Sequence, residues 1–310
     1  EFVFFDYSPM KPWLTYGVVG ADDQLSHFTE VEIPGPRLPH DMGMTENYSI
    51  LMDLPLFTTP EGRKSGKWQV GFYPELPARF GVIPRHGTGD QVRWFEASPC
   101  YIYHVVNAWE EGDEIVMDAF RVDDPCPTPD NPEDGDLARM MSYLRLRAHL
   151  HRWRFNLKTG ETREENIDDR NAEFPTINWN YLGRKSRYSY NVSIPPVRTL
   201  LFDGLVKYDH ETGGTDSWMF GPGVWGSEAP FAPRHNPKAE DDGYVVSYLQ
   251  DEAAGTSELV ILDAQDMAAG PVARIQLPQR VPNGFHACWV TEAELASAPV
   301  WSILSFLSNF

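Results

Sequence analysis

Cysteine is scarce in this 310-residue chain: Cys100, Cys126 and Cys288 are the whole set, with no CxxC spacing. An odd and scattered trio excludes a disulfide framework and a thiolate zinc site, and fits a reducing compartment. Positive charge is short as well. Lys and Arg number 26 against 45 Asp and Glu, for a formal net charge of −19, which repels phosphate backbones and leaves no reason to expect a nucleic-acid partner. No apolar run reaches the roughly 18 residues that a membrane-spanning helix needs. The opening EFVFFDYSP has neither a start methionine nor the positive segment of a signal peptide. The expectation is a chain that begins inside a longer gene product and works in the cytoplasm.

What is abundant is strand signal. EFVFFDYS, LTYGVVGA, SILMDLPLF, YIYHVVNAWE, EIVMDAFRV, LHRWRFNL, YVVSYLQ, ELVILDA and VARIQLP are short β-branched and aromatic runs closed by Gly, Pro, Asn or Asp. They follow one another without amphipathic helices between them, which predicts antiparallel meanders rather than βαβ units. One helix is expected, over Asp134 to Leu150, from the spacing of Leu137, Met140, Met141, Leu144 and Leu146. A weak repeat of strand, turn and return recurs at Thr159-Gly160, at Thr212-Gly213 and in ELVILDAQDMAAGPVARIQLP. Such hairpins resemble propeller blades, and no Pro- or Gly-rich linker separates blocks of different composition. The expectation is one all-β domain over residues 1–310, a β-propeller in preference to a sandwich.

Nine histidines are dispersed along the chain, and three have unusual contexts. His40 sits in RLPHDMGMTENYSILMD at a strand entry, His104 inside the apolar strand SPCYIYHVVNAWEEGD, and His286 in RVPNGFHACWV, again at the start of an aromatic strand. Positions so far apart share no helix or hairpin. They meet only if separate strands converge on an axis, as the inner strands of propeller blades do. Buried neutral imidazoles would suit a borderline metal such as Fe(II), Zn or Cu. Core histidines satisfied by backbone carbonyls explain the same pattern about equally well.

PHDMGMTENYSILMD, YIYHVVNAWEEGDEIVMD, AEFPTIN, SEAPFAPR, EDDGYVVSYL and VPNGFHACWV stand in this order like successive signatures of the carotenoid cleavage oxygenases. The resemblance runs from Glu1 to about Val290. That family includes apocarotenoid oxygenases, stilbene-cleaving dioxygenases and a retinoid isomerase. The resemblance implies a seven-bladed propeller with short helical insertions and non-haem Fe(II) held on its axis by four histidines. The reaction it implies is O₂-dependent cleavage of a conjugated C=C bond into two carbonyl products. His40, His104 and His286 match the second, third and fourth iron ligands. Glu173 of AEFPTIN and Glu228 of SEAPF match the carboxylates behind the ligands, paired with His104 and His286 respectively. Such carboxylates fix an imidazole's tautomer and raise its basicity. No residue beyond the metal ligands is required as an acid or base.

The sequence departs from the family at its start. The stretch carrying the first ligand and the third carboxylate would precede Glu1, so N-terminal blades are expected to be missing, and the chain by itself to be inactive or poorly folded. His27, in DDQLSHFTEVEI, reads as a hairpin edge and not as a substitute. An apolar carotenoid or apocarotenoid is the expected substrate, a stilbene the alternative, and a non-catalytic interaction platform the reading from another class. Phe57, Tyr101, Tyr103, Trp109 and Phe285 are candidates to line an apolar tunnel. Glu110 and Glu111 read as turn residues rather than catalytic carboxylates. The apolar tail Ala298 to Phe310 reads as a closing strand or altered end, with peripheral membrane contact as the alternative.

Overall fold

The computed structural model describes residues 1–66, 69–129 and 135–297. Each β-branched and aromatic run above forms a strand. β1 (Phe2–Tyr7), β2 (Leu14–Val19) and β3 (Leu25–Glu30) make a first antiparallel sheet in chain order. The second runs β4 (Gly43–Met44), β5 (Tyr48–Asp53), β8 (Ala78–Pro84), β9 (Arg93–Ala97), with the hairpin β6 (Leu56–Thr58) and β7 (Val70–Phe72) inserted after β5. The third is β10 (Tyr101–Glu111), β11 (Glu114–Val122), β12 (His149–Asn156), β13 (Thr162–Asn166), and the fourth β14 (Ala172–Thr176), β15 (Tyr188–Ser193), β16 (Gly204–Asp209), β17 (Thr215–Met219). In the fifth, β18 (Val224–Trp225) and β19 (Phe231–Pro233) both pair with β20 (Gly243–Asp251), followed by β21 (Thr256–Asp263) and β22 (Pro271–Gln276). Each sheet is a meander of sequence neighbours, the form of a propeller blade. Gly160 and Gly213 take left-handed φ of 82° and 71° in the β12–β13 and β16–β17 turns, where a Cβ would be strained.

One continuous core joins the second to fifth sheets. Phe80 of β8 meets Trp153 and Phe155 of β12 at ring centroid distances of 5.5 and 5.1 Å, and Tyr190 of β15 stacks on Phe231 of β19 at 5.3 Å. Burying each such ring contributes about 1.5–3 kcal/mol by area removed from water. A smaller core of Leu14, Tyr16, Val18, Val31 and Ile33 seats the first sheet on Leu51 and Ile83 of the second. At its other end β10 packs between β4 and β14, so the first strands of consecutive sheets lie side by side.

The expected helix is shorter than its pattern suggested. α2 covers Gly135–Tyr143, after the single-turn helix α1 (Pro60–Ser65) and before α3 (Glu292–Ser297). Asp134 falls outside the described residues, and Leu150 belongs to β12. β12 buries His151, Trp153 and Phe155 on one face and Leu150 on the other, and this burial within the sheet overrides the helical spacing of Leu144 and Leu146. The tail Ala298 to Phe310 also lies outside the described residues. Among those described, no helix is long and apolar enough to cross a membrane.

Polar ties fix neighbouring sheets. Glu164 of β13 accepts hydrogen bonds from the Ser98 N–H and hydroxyl just past β9, both at 2.9 Å, and pairs with Arg121 at 3.2 Å. Burial alone would raise its pKa. The His151 ring 3.7 Å away, the two Ser98 donors and the Arg121 charge outweigh that and bring Glu164 down to about 2. A depressed carboxylate adds stability above its unfolded pKa and loses it as pH falls through the folded one. Wild type should therefore exceed Glu164→Gln by about 2 kcal/mol above pH 5, after allowance for partial exposure, with the gap closing as pH falls from about 4.5 to 2. Urea unfolding of both proteins across that range measures it; a gap independent of pH would contradict it.

Candidate metal centre

His40 lies in the loop entering β4, His104 on β10, Glu173 on β14, and Glu228 between β18 and β19, each at the start of a successive sheet. His286 follows β22. It was expected at the start of a strand, but Gly284–Val290 makes no ladder with a neighbour among the described residues, so the ring is carried on an extended loop.

Two backbone irregularities aim the key groups. β10 breaks register with β11 between Ile102 and Val105 and again between Val105 and Asn107, which turns His104 out of the plain alternation. The Val105 N–H donates instead to Asp41 Oδ2 at 2.8 Å, and Asp41 Oδ1 accepts the Met42 N–H at 2.8 Å, so one carboxylate locks the His40 loop to the bulge. Desolvation raises the pKa of Asp41 despite both bonds. In β14 the register slips after Glu173, where Phe174 takes a left-handed φ of 52°. This costs on the order of 1–3 kcal/mol and folds the Phe174 N–H back onto the Glu173 carboxylate. The Phe174 ring then packs against both His104 and His286, with centroids 4.7 and 5.5 Å away.

His104 Nδ1 lies 2.6 Å from Oε2 of the fully buried Glu173. An ionised carboxylate only accepts, so Nδ1 carries the proton and Nε2 presents its lone pair. That Nε2 is buried and has no hydrogen-bond partner. Burial works against protonating His104, but the Glu173 charge beside it raises its pKa overall. His286 Nδ1 stands 3.5 Å from Glu228 Oε1, and Glu228 also accepts the Ala287 N–H. Burial raises the pKa of Glu228.

His40, His104 and His286 each offer a nitrogen, and these atoms all lie within 4.8 Å of one another. Ring centroids are 5.2 Å apart for His40 and His104 and 4.9 Å for His104 and His286. The three are not equally buried, contrary to the expectation from their apolar contexts. His104 is half-buried, while His40 and His286 are exposed because their loops stand at the open end of the strands. Burial of the inward part of the ring, with the two neighbouring imidazoles adding to it, still pulls His40 down to about 4. An unpartnered buried nitrogen facing two more imidazole nitrogens, with carboxylates behind two of the three rings, fits a borderline divalent metal.

Of the other residues singled out, His27 lies on β3, donating Nε2–H to the Gly87 carbonyl at 2.9 Å, away from the cluster. Glu110 accepts from Thr45 Oγ1 and the Asn47 N–H at 2.8 and 2.9 Å, and Glu111 pairs with Arg154 at 2.6 Å, both bracing the β10–β11 turn. Phe57 stacks on Tyr73, and Trp109 lies beneath Arg152. Phe285 approaches Phe174 at 5.8 Å. Tyr101 and Tyr103 line a cavity of about 190 Å³ that reaches His40. A larger cavity of about 900 Å³, walled by Arg145, Arg147, Asp169 and Arg198 among others, contains none of the three histidines. Asp41 and Phe174 were not foreseen. Only Asp41, adjacent to a histidine at a strand entry, carried any sequence signal.

Three converging imidazoles at the leading ends of blade-like sheets place this chain among β proteins with an all-nitrogen candidate metal centre. Residues 1–291 match the family model described as retinal pigment epithelial membrane protein. The chain is 39% identical over 315 residues to a carotenoid 9,10(9′,10′)-cleavage dioxygenase of Crocus sativus, covering 95% of this chain and 56% of that protein. Among solved structures it resembles the Pseudomonas brassicacearum lignostilbene dioxygenase, with a TM-score of 0.82, 30% identity, and 93% of this chain and 63% of that one covered. It also resembles a cobalt-substituted Synechocystis apocarotenoid oxygenase, with a TM-score of 0.79, 25% identity, and coverage of 90% and 58%. The chain belongs to the family of the retinal pigment epithelial membrane protein and the carotenoid cleavage oxygenases. It spans little more than half the length of the Crocus relative.

Proposed function

We propose that the whole protein is an Fe(II)-dependent dioxygenase that cleaves a conjugated C=C bond of a carotenoid or apocarotenoid into two carbonyl products. We propose further that residues 1–310 are part of a single seven-bladed propeller. The observation that carries the reading is the unpartnered Nε2 of His104, buried and facing the nitrogens of His40 and His286. His40, His104 and His286 would hold the iron, and Glu173 and Glu228 would orient His104 and His286. Bound Fe(II) would supply the redox activation of O₂ beside the alkene. The chain's own residues position and exclude. Glu173 holds the imidazole of His104 in one tautomer, and the Phe174 ring packs against His104 and His286 and covers one side of the pair. The apolar wall of Leu38, Leu56 and Val70 beside His40 gives a hydrocarbon chain a dry place to lie. No side chain is assigned a proton transfer.

Support comes from the names of the relatives, carotenoid-cleaving in Crocus and apocarotenoid-cleaving in Synechocystis. The lignostilbene dioxygenase of Pseudomonas brassicacearum keeps a stilbene as the second reading. The deciding assay loads the whole protein with Fe(II) anaerobically, adds O₂ and either β-apo-8′-carotenal or 4-hydroxystilbene, and identifies aldehydes by mass spectrometry. Cleavage of the apocarotenal is expected. Turnover of the stilbene alone would replace the first reading with the second, and failure of both would leave the platform reading standing.

A further inference from the structure

Between Ile102 and Val105, β10 advances three residues against two of β11, and between Val105 and Asn107 it advances two against one. Each step is a β-bulge, which re-aims a side chain but weakens the ladder that would fix its place. A slip of one residue would turn His104 to the opposite face of the strand. A contact from outside the ladder is needed to hold the two bulges where they are. Val105 stands between them, and its N–H donates to Asp41 Oδ2 at 2.8 Å. The other oxygen of that carboxylate accepts the Met42 N–H, also at 2.8 Å. Asp41 directly follows His40, and Val105 directly follows His104.

One planar carboxylate therefore links the backbones of two histidines, with both oxygens used on peptide N–H groups. That separates its work from that of Glu173, which holds His104 by the ring. A carboxylate on a ring nitrogen fixes tautomer and basicity, whereas one on two backbone N–H groups fixes where the rings stand. A similar device serves the third histidine, where Ala287, next after His286, donates its N–H to Glu228. Resting on the proposed metal centre, we infer that Asp41 is a positioning residue that sets the separation of His40 and His104, whose ring centroids lie 5.2 Å apart. The negative charge of Asp41 also acts on His104 through space, in the sense that favours a cation beside the ring. Asp41→Asn keeps the size and one acceptor oxygen but turns an NH₂ group toward the other N–H, so one of the two anchors fails. Asp41→Glu keeps the charge and displaces the carboxylate by a methylene.

Co(II) is the probe, because its visible ligand-field absorption reports the geometry of the nitrogen set around it. The whole protein is titrated anaerobically with Co(II) and with Fe(II) against a competing chelator, and amide hydrogen exchange of the metal-free protein is followed by mass spectrometry over residues 101–111. Asp41→Asn should bind both metals about 10–100-fold more weakly than wild type. Its Co(II)-saturated form should show a shifted visible band, and exchange at the Val105 amide should quicken by about tenfold or more. Asp41→Glu should shift the band as well, since charge without the right reach does not restore the spacing. A residue that only supports the fold would lower stability and leave the spectrum of the saturated site as it is in wild type. That result in either variant, unchanged metal affinity in Asp41→Asn, or loss of β structure by circular dichroism in both variants would overturn the assignment. Recovery of the wild-type band in Asp41→Glu would overturn it too, by showing that charge alone suffices. Wild type that binds neither metal stoichiometrically overturns it together with the metal centre, whereas wild type that binds and variants that match it overturn the assignment alone.

Discussion

His104→Ala should abolish stoichiometric iron binding while leaving the fold intact. His104 is the best fixed of the three imidazoles, with Nδ1 on a buried carboxylate and Nε2 unpartnered toward the other two. Removing it takes a nitrogen donor from the cluster and leaves Glu173 buried without its imidazole. Loss of a carboxylate behind a metal-binding histidine costs about 10–100-fold in metal affinity, and loss of the ligand itself should exceed the upper end of that range. Anaerobic loading with Fe(II), desalting and metal analysis measure it, and circular dichroism reports whether the strands persist. Iron retained at wild-type stoichiometry would refute the role given to His104.

The second large effect is expected at Glu173. Glu173→Gln preserves shape and burial but removes the charge that fixes the His104 tautomer and raises its basicity. Iron affinity should fall by about 10–100-fold, read by anaerobic competition with a chelator. Glu228→Gln should cost less. The His286–Glu228 distance is 3.5 Å against 2.6 Å for His104–Glu173, and the His286 side chain is 59% exposed against 14% for His104, so solvent already shares the work of orienting it. A larger loss at Glu228 than at Glu173 would contradict the ranking of the two supports.

Strand order was legible because each strand is short, β-branched or aromatic, and bounded by turn residues. Hairpins such as His149–Asn156 with Thr162–Asn166 announce themselves through local turn chemistry. The three histidines were legible as a set only through ordered motifs, since nothing local relates position 40 to position 286. What escaped was backbone irregularity. The two register breaks in β10 and the left-handed Phe174 have no compositional mark, because they are imposed by packing of one sheet's first strand against the next. The exposure of His40 and His286 escaped for a related reason. Apolar neighbours in sequence alternate faces or sit on loops, and only the assembled ends of the strands decide which ring meets solvent. The overlong helix came from leucines that serve a strand at Leu150 and a loop at Leu146.

The most direct measurement is anomalous scattering at the iron edge from crystals of the protein loaded with Fe(II) under anaerobic conditions. A single peak at coordinating distance from one nitrogen of each of His40, His104 and His286 is the predicted result. Iron bound elsewhere, or any one of the three rings turned away from the ion, would contradict the account.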